Sequence, residues 1–137
     1  MHNAALAQDY LKRARHRLAS LDVLFRLEDY ADVVREAQET VELALKGLLR
    51  SAGVEVPRVH DVSGVMEETA ALLPPSLKPH LSRLAAISRS LRRDRELAFY
   101  GSEDLTPSEF YRQGDAEAAL ADATWVVDRV EEATQGG

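Results

Sequence analysis

The chain has 137 residues, a length typical of one domain, and 45% of them are hydrophobic. It has no cysteine, which excludes a disulfide framework, a thiolate zinc site and a cysteine nucleophile. The formal net charge of −6 argues against uniform coating by nucleic acid, because non-specific binding scales with clustered positive charge. Leucine and alanine dominate the apolar residues, which favours helix over strand.

The sequence carries no targeting or metal-binding pattern. No apolar run approaches the roughly 18 residues that span a membrane. The N-terminal residues have neither a basic n-region nor a long apolar segment, so we expect a cytoplasmic protein without a signal peptide. The four histidines are scattered and form no metal-binding helix motif, so we expect no metal site and no cofactor.

Two helices are predicted in the first third of the chain. The first runs from Asn3, a suitable N-cap, to Arg26, and segment 28–30 breaks its pattern. The second covers residues 31–51 and ends at the Ala52–Gly53 pair. The short connection predicts an antiparallel hairpin. A basic face on the first helix is interpreted as a solubilising surface: Lys12, Arg13, Arg15 and Arg17.

A short and a long helix are predicted in the middle of the chain. The short one covers residues 62–73, with Asp61 as its N-cap, and the two prolines at 74–75 end it. The long one covers residues 77–100, with Ser76 as its cap. Its apolar residues recur at steps of three and four, which predicts one buried stripe.

The C-terminal end of this fourth helix carries the densest positive charge in the chain. The apolar stripe leads into Asp94 and Arg95, so a charged pair stands where leucines are buried. Burying an unpaired guanidinium is costly, so Arg95 is expected to be paired, half exposed or facing a cleft. The patch is compatible with binding of a phosphate-bearing ligand or one strand of RNA. The alternative is that it is a solvated helix face. Its arginines are Arg83, Arg89, Arg92, Arg93 and Arg95.

Two adjacent aromatic residues follow in an irregular segment over residues 102–113. Phe110 and Tyr111 are expected to anchor this segment to the core, which is the usual role of aromatics in a loop. The alternative is a platform on which a base or nucleotide stacks.

A fifth helix is predicted from Asp115, its N-cap, to Thr134. Trp125 lies roughly opposite the apolar stripe of this helix, beside alanines. It is therefore either an interface residue or a cover over the end of a neighbouring helix. Residues 135–137 are expected to be a disordered tail, so the single helical domain spans residues 1–134. The predicted fold is all-α: an up-and-down four-helix bundle with one additional short helix.

The order of motifs resembles the HEPN domain (higher eukaryotes and prokaryotes nucleotide-binding) in its small prokaryotic form. The matching segments are Glu36–Leu49, His60–Asp61, Arg95–Gly101, Phe110–Tyr111 and Asp115–Leu120. The resemblance implies a helical homodimer that partners a minimal nucleotidyltransferase in a toxin–antitoxin-type module. It implies that nucleotide or RNA binds at a cleft near the end of the fourth helix. Active members of the family are metal-independent ribonucleases. Their motif lies near the end of the helix that matches the fourth helix here, and it consists of an arginine followed, after four to six residues, by a histidine.

The chain departs from that motif because a tyrosine stands in the position of the histidine. Four residues separate Arg95 from Tyr100, and six separate Arg93 from Tyr100. A phenol with a reference pKa of about 10 is a poor base at neutral pH. Nuclease activity is therefore expected to be weak or absent unless His60 enters the site. The alternatives are a ribonuclease with a non-standard site, a target of modification at Tyr100, and a purely structural dimer.

The resemblance and the charge pattern together select the candidate residues. The catalytic candidates are Arg95 and Tyr100, and the candidate interface residue is Trp125. The ligand-binding candidates are Arg92, Arg93, Arg95, Tyr100 and His60.

Overall fold

The computed structural model describes residues 4–56, 58, 61–100 and 106–135, without the side chains of residues 95–100. Within these ranges the regular elements are helices and none is a strand, which confirms the all-α class. None of the described helices has the length and apolar character needed to cross a bilayer. The α-helices are α1 (Ala4–Arg26), α2 (Tyr30–Ser51), α3 (Ser63–Glu68), α4 (Leu81–Tyr100), α5 (Pro107–Phe110) and α6 (Gln113–Gln135).

The helix α2 is the centre of the bundle and packs against α1, α4 and α6. Its apolar residues at three- and four-residue spacing are buried in one core with those of the other long helices. Gly47 lets α1 approach closely, because a Cβ at this position would lie 3.0 Å from Cδ2 of Leu11. The buried apolar residues of α2 are Ala31, Val33, Val34, Ala37, Val41, Ala44, Leu45, Leu48 and Leu49.

The predicted break between the first two helices is confirmed. Glu28 has a φ of 62°, a left-handed conformation that turns the chain. Asp29 is the N-cap of α2, and its Oδ1 accepts a hydrogen bond from the Asp32 N–H at 3.4 Å. At the other end of α2, Ala52 is the C-cap and Gly53 has a φ of 77°. The turn chemistry therefore determines both ends of this helix.

Residues 62–80 differ from the prediction. The short helix divides into α3 and a 3-10 turn at Ala70–Leu72, and residues 75–80 form a second 3-10 segment. The helix α4 therefore begins at Leu81 instead of Leu77. Pro79 lies inside the second 3-10 segment, and proline disfavours the α conformation at the residue before it, which favours the later start of α4. Ser76 consequently caps no α-helix.

The C-terminal third has one more short helix than predicted. In α5, Thr106 and Glu109 form a reciprocal capping box, with Thr106 Oγ1 accepting from the Glu109 N–H at 3.3 Å. The helix α6 begins two residues before Asp115, whose Oδ2 accepts from the Arg112 N–H at 2.9 Å. It continues through Gln135, one residue into the predicted tail. Asn3 and residues 136–137 lie outside the described residues.

Candidate functional site

Two of the five predicted ligand-binding side chains are described. Arg92 is half-buried and Arg93 is exposed, both in the C-terminal half of α4. Arg95 and Tyr100 lie on the same helix, but their side chains are outside the described residues, as is His60. The surroundings of Arg92 and Arg93 therefore define the site.

The first anchor of this part of α4 is a polar contact with the start of α3. Oδ1 of Asp61 accepts hydrogen bonds from the Ser88 hydroxyl and the Ser63 N–H, each at 2.9 Å. Ser88 is 3% exposed, so its hydroxyl needs a partner inside the fold. Positions 88, 92 and 95 are four and three residues apart and thus share one face of α4. Asp61 therefore holds the start of α3 at the face of α4 that carries Arg92.

The pKa of Asp61 follows from this contact. Burial of the carboxyl acts to raise its pKa, but the hydrogen bonds from Ser63 and Ser88 and the charge of Arg89 outweigh it. The pKa of Asp61 is consequently below its ordinary value. Asp61 was predicted as an N-cap, but Val62 occupies that position and Asp61 acts one residue earlier.

The second anchor joins α4 to the segment before α6. The Tyr111 hydroxyl donates a hydrogen bond to the main-chain oxygen of Asp94 at 3.0 Å. Tyr111 is 5% exposed, which confirms its predicted role in anchoring the irregular segment. Burial raises the pKa of Tyr111 to about 12, with the charges of Asp94 and Asp115 adding to the rise. The phenol is thus a hydrogen-bond donor throughout the neutral range.

The carboxyl of Asp94 lies beside this anchor. Burial raises its pKa above the ordinary value, Arg93 opposes the rise and Asp115 adds to it. The charged residue that interrupts the apolar stripe is therefore only partly hydrated. Arg93, the preceding residue in the chain, is exposed and provides the compensating positive charge.

The basic patch of the fourth helix is divided among different partners. Arg89 Nη1 pairs with Glu67 Oε1 of α3 at 2.7 Å, so a carboxylate of a different helix neutralises it. The guanidinium carbon of Arg83 lies 3.9 Å from the ring centroid of Trp125. Among the described arginines of the patch, Arg92 and Arg93 have neither an ion pair nor a ring contact with another described residue. They are therefore the described arginines of the patch that are left to meet a ligand.

Trp125 packs against neighbouring helices on the side of α6 opposite its main apolar stripe. Its ring makes an edge contact with His80 at a centroid distance of 5.5 Å, besides the contact with Arg83. The ring is half-buried, as expected of a residue that covers the end of another helix. The role of Trp125 in an interface between molecules stays a prediction.

Two residues of the basic face of α1 are held in ion pairs within the bundle. Arg15 pairs with Asp128 at 2.9 Å and also contacts Glu131, while Arg17 pairs with Glu39 at 2.8 Å. These contacts neutralise the charges of Arg15 and Arg17. Among the described residues no three histidine, aspartate or glutamate side chains gather as metal ligands.

The sequence did not reveal the two anchors of α4, because their partners are distant in the chain. A signal for the first existed: Ser88 occupies a core position of the apolar stripe, and a buried hydroxyl requires a polar partner. The partner of Ser88 could not be deduced from spacing. The hydrogen bond from Tyr111 to a main-chain oxygen leaves no sequence signal at Asp94.

Comparisons with known proteins agree with this architecture. The HEPN domain family matches residues 7–133. A protein of Methanocaldococcus jannaschii named "Putative toxin MJ1304" is 32% identical over 136 residues, which cover 95% of this chain and 89% of that protein. The crystal structure of TT1696 from Thermus thermophilus matches with a TM-score of 0.77 and 29% identity, over 92% of this chain and 96% of that one. The chain belongs to the HEPN domain family.

Proposed function

We propose that this protein is the HEPN component of a toxin–antitoxin-type module and binds RNA or a nucleotide at the C-terminal half of α4. The observation that carries the proposal is the family match over residues 7–133, together with 32% identity to the relative named "Putative toxin MJ1304". The match covers almost the whole chain, so the proposal concerns the domain as a unit.

The site supports the proposal through its positive charge and its fixed position. Arg92 and Arg93 lie between the Asp61–Ser88 contact and the Tyr111–Asp94 contact. A guanidinium can bind a phosphate with two parallel hydrogen bonds, which suits a nucleotide or RNA backbone. Arg95 and Tyr100 extend the same helix and complete the proposed site.

The partners proposed for the protein are a second copy of the chain and a minimal nucleotidyltransferase. Both follow from the resemblance to small prokaryotic HEPN proteins. Trp125, with Arg83 stacked on its ring, is the proposed contact residue for one of these partners, because Trp and Arg are enriched at the energetic centres of interfaces.

Growth and co-purification test this function. The full chain is expressed from an inducible promoter in a bacterial host, alone and with a minimal nucleotidyltransferase. The expected result is slowed growth with the chain alone, rescue by the partner, and recovery of both proteins from one affinity step. Unchanged growth together with no partner recovery would contradict the module.

The second candidate function is a metal-independent ribonuclease with a non-standard site. The relative named "Putative toxin MJ1304" favours it, because RNA cleavage is a direct route to toxicity. Purified protein is incubated with mixed RNA in EDTA, beside Arg95→Ala and Tyr100→Phe. Cleavage that is lost in Arg95→Ala would support the nuclease, whereas intact RNA at high protein concentration would exclude it.

A further inference from the structure

We propose that Phe110 is a base-stacking residue for single-stranded RNA whose phosphates are held by Arg92 and Arg93. The inference rests on the proposed function and adds to it the residue that contacts the bases. It comes from the unequal placement of two neighbouring aromatic rings, which the sequence cannot distinguish.

The two rings are placed for different tasks. Tyr111 is 5% exposed and belongs to the core, whereas Phe110 is 39% exposed. Their centroids are 4.9 Å apart with an interplanar angle of 68°, an edge-on packing that leaves much of the Phe110 ring at the surface. The buried ring therefore supports the exposed one.

The segment that carries Phe110 is fixed on both sides. Before it, the capping box of α5 joins Thr106 to Glu109, with Thr106 Oγ1 donating to Glu109 Oε1 at 2.8 Å. After it, the Tyr111 hydroxyl donates to the Asp94 oxygen at 3.0 Å. An exposed ring on a fixed support loses little conformational entropy when a ligand binds, which favours stacking.

The tether to Asp94 brings the segment that carries Phe110 to the turn of α4 that contains Arg92 and Arg93. Arg93 directly precedes Asp94 in this helix, and Arg92 directly precedes Arg93. Cationic side chains that follow a backbone, next to an aromatic ring on which bases stack, are the combination used to bind single strands. A duplex would hide its bases from the ring, so the arrangement fits a single strand.

The charges around the ring favour a base over a phosphate. Glu109 is exposed and adjacent to Phe110, and its carboxylate would repel a phosphate at this position. An uncharged base has no such penalty. The arginines of α4 and the ring of Phe110 can therefore bind different parts of one nucleotide chain.

Fluorescence anisotropy with a short labelled oligouridylate tests the inference, using the full chain. The variants are Phe110→Ala, Phe110→Tyr and Phe110→Trp, and the control is Leu72→Ala, another exposed apolar residue (62% exposed). We expect Phe110→Ala to raise Kd about fivefold to a hundredfold, since a stacked base contributes about that much. Phe110→Tyr and Phe110→Trp should retain affinity, and Leu72→Ala should leave Kd unchanged.

A second probe separates stacking from electrostatics. With an oligomer of the same length that lacks bases, wild type and Phe110→Ala should bind equally. The dependence of affinity on salt should be the same for both proteins, because Phe110 contacts no phosphate.

Three results would overturn the inference. Equal Kd of wild type and Phe110→Ala for the oligouridylate would exclude stacking, although RNA binding would stand. Loss of affinity in Phe110→Tyr and Phe110→Trp as well, together with a changed oligomeric state, would make Phe110 a contact between subunits. Absence of RNA binding by wild type would remove both this inference and the RNA-binding part of the proposed function.

Discussion

The carboxylate of Asp61 and the hydroxyl of Ser88 are joined by a 2.9 Å hydrogen bond across 27 positions of the chain. Ser88 is buried on the core face of α4, and the same carboxylate oxygen accepts from the Ser63 N–H at the start of α3. The contact therefore fixes where the chain before α3 crosses α4. Arg92 follows Ser88 by four residues on the same face.

The first prediction concerns this contact and its dependence on pH. Asp61 has a lowered pKa in the folded state, so its ionised form stabilises the fold at neutral pH. That stability is present above the unfolded-state value and is lost as pH falls through the folded-state pKa, below the ordinary value of 3.8. In urea denaturation at pH 7, Asp61→Asn should be less stable than wild type, and the difference should shrink in acid below about pH 4.

Ser88→Ala is the companion variant for this prediction. It should reduce the free energy of unfolding by about 1 kcal/mol at pH 7, the usual net effect of losing a hydrogen bond. The double variant should lose less than the sum of the two single losses, since both act on one contact. Additive losses would contradict coupling of Asp61 to Ser88.

The second prediction concerns the hydroxyl of Tyr111. Tyr111→Phe should lower the free energy of unfolding by about 0.5–1.5 kcal/mol, because it removes the bond to the Asp94 oxygen and leaves the ring in place. The control is Tyr10→Phe, since Tyr10 is half-buried and has no recorded hydrogen bond to another described residue. Equal effects of the two substitutions in urea denaturation would show that the Tyr111 bond contributes nothing.

The third prediction concerns Asp94, whose contribution to stability depends on pH with the opposite sign to that of Asp61. The pKa of Asp94 is raised in the folded state, so its protonated form is favoured there. This contribution is present below the unfolded-state pKa and is lost as pH rises through the folded-state pKa. Asp94→Asn should therefore unfold at a higher temperature than wild type at pH 7, with the advantage shrinking towards about pH 4.

A control for Asp94 is Asp9→Asn on α1. Asp9 is exposed, and its pairing with Arg13 at 3.8 Å is long, so its removal should change the unfolding temperature little. An Asp94→Asn protein that is less stable than wild type at pH 7 would show that the carboxylate stabilises the helix.

The fourth prediction uses the single tryptophan of the chain. The Arg83 guanidinium covers one face of the Trp125 ring at 3.9 Å. Arg83→Ala should increase quenching of the tryptophan fluorescence by acrylamide and should lower stability by about 0.5–1 kcal/mol. Arg89→Ala is the matched control, since Arg89 is on the same helix but pairs with Glu67. Unchanged quenching in Arg83→Ala would contradict the stacked arrangement.

Much of the fold could be predicted from local patterns. The break at segment 28–30 and the end of α2 at Ala52 follow from residue types that turn the chain. The predicted start of α4 was wrong because the apolar stripe continues through the 3-10 segment, where Pro79 disfavours the α conformation of the residue before it. Periodicity alone does not distinguish the two kinds of helix.

Less of the site than of the fold could be predicted from the sequence, because the partner of each charged residue depends on which helices become neighbours. The basic residues of the fourth helix formed one patch in the sequence, but Glu67 neutralises Arg89 and Trp125 covers Arg83. The burial of Tyr111 was expected for an aromatic residue in a loop, while the exposure of its neighbour Phe110 was not predicted. Local composition determines the elements, and tertiary contacts determine which charges remain free.

RNA binding by two double variants is the most direct test of a binding site on α4. Each variant lacks two positive charges, at a different place in the chain. Kd for a labelled single-stranded RNA is measured against salt for wild type, for the double variant Arg92→Ala/Arg93→Ala, and for the double variant Lys12→Ala/Lys78→Ala. Lys12 and Lys78 are exposed residues outside the proposed site. Each double variant loses two positive charges, so the two variants have the same net charge.

The arginine variant should lose affinity, and its slope of log K against log salt should fall by about 2, one for each phosphate contact. The lysine variant should keep most of the affinity and the wild-type slope. Equal losses in the two variants would show that only net charge matters and would contradict a binding site on α4.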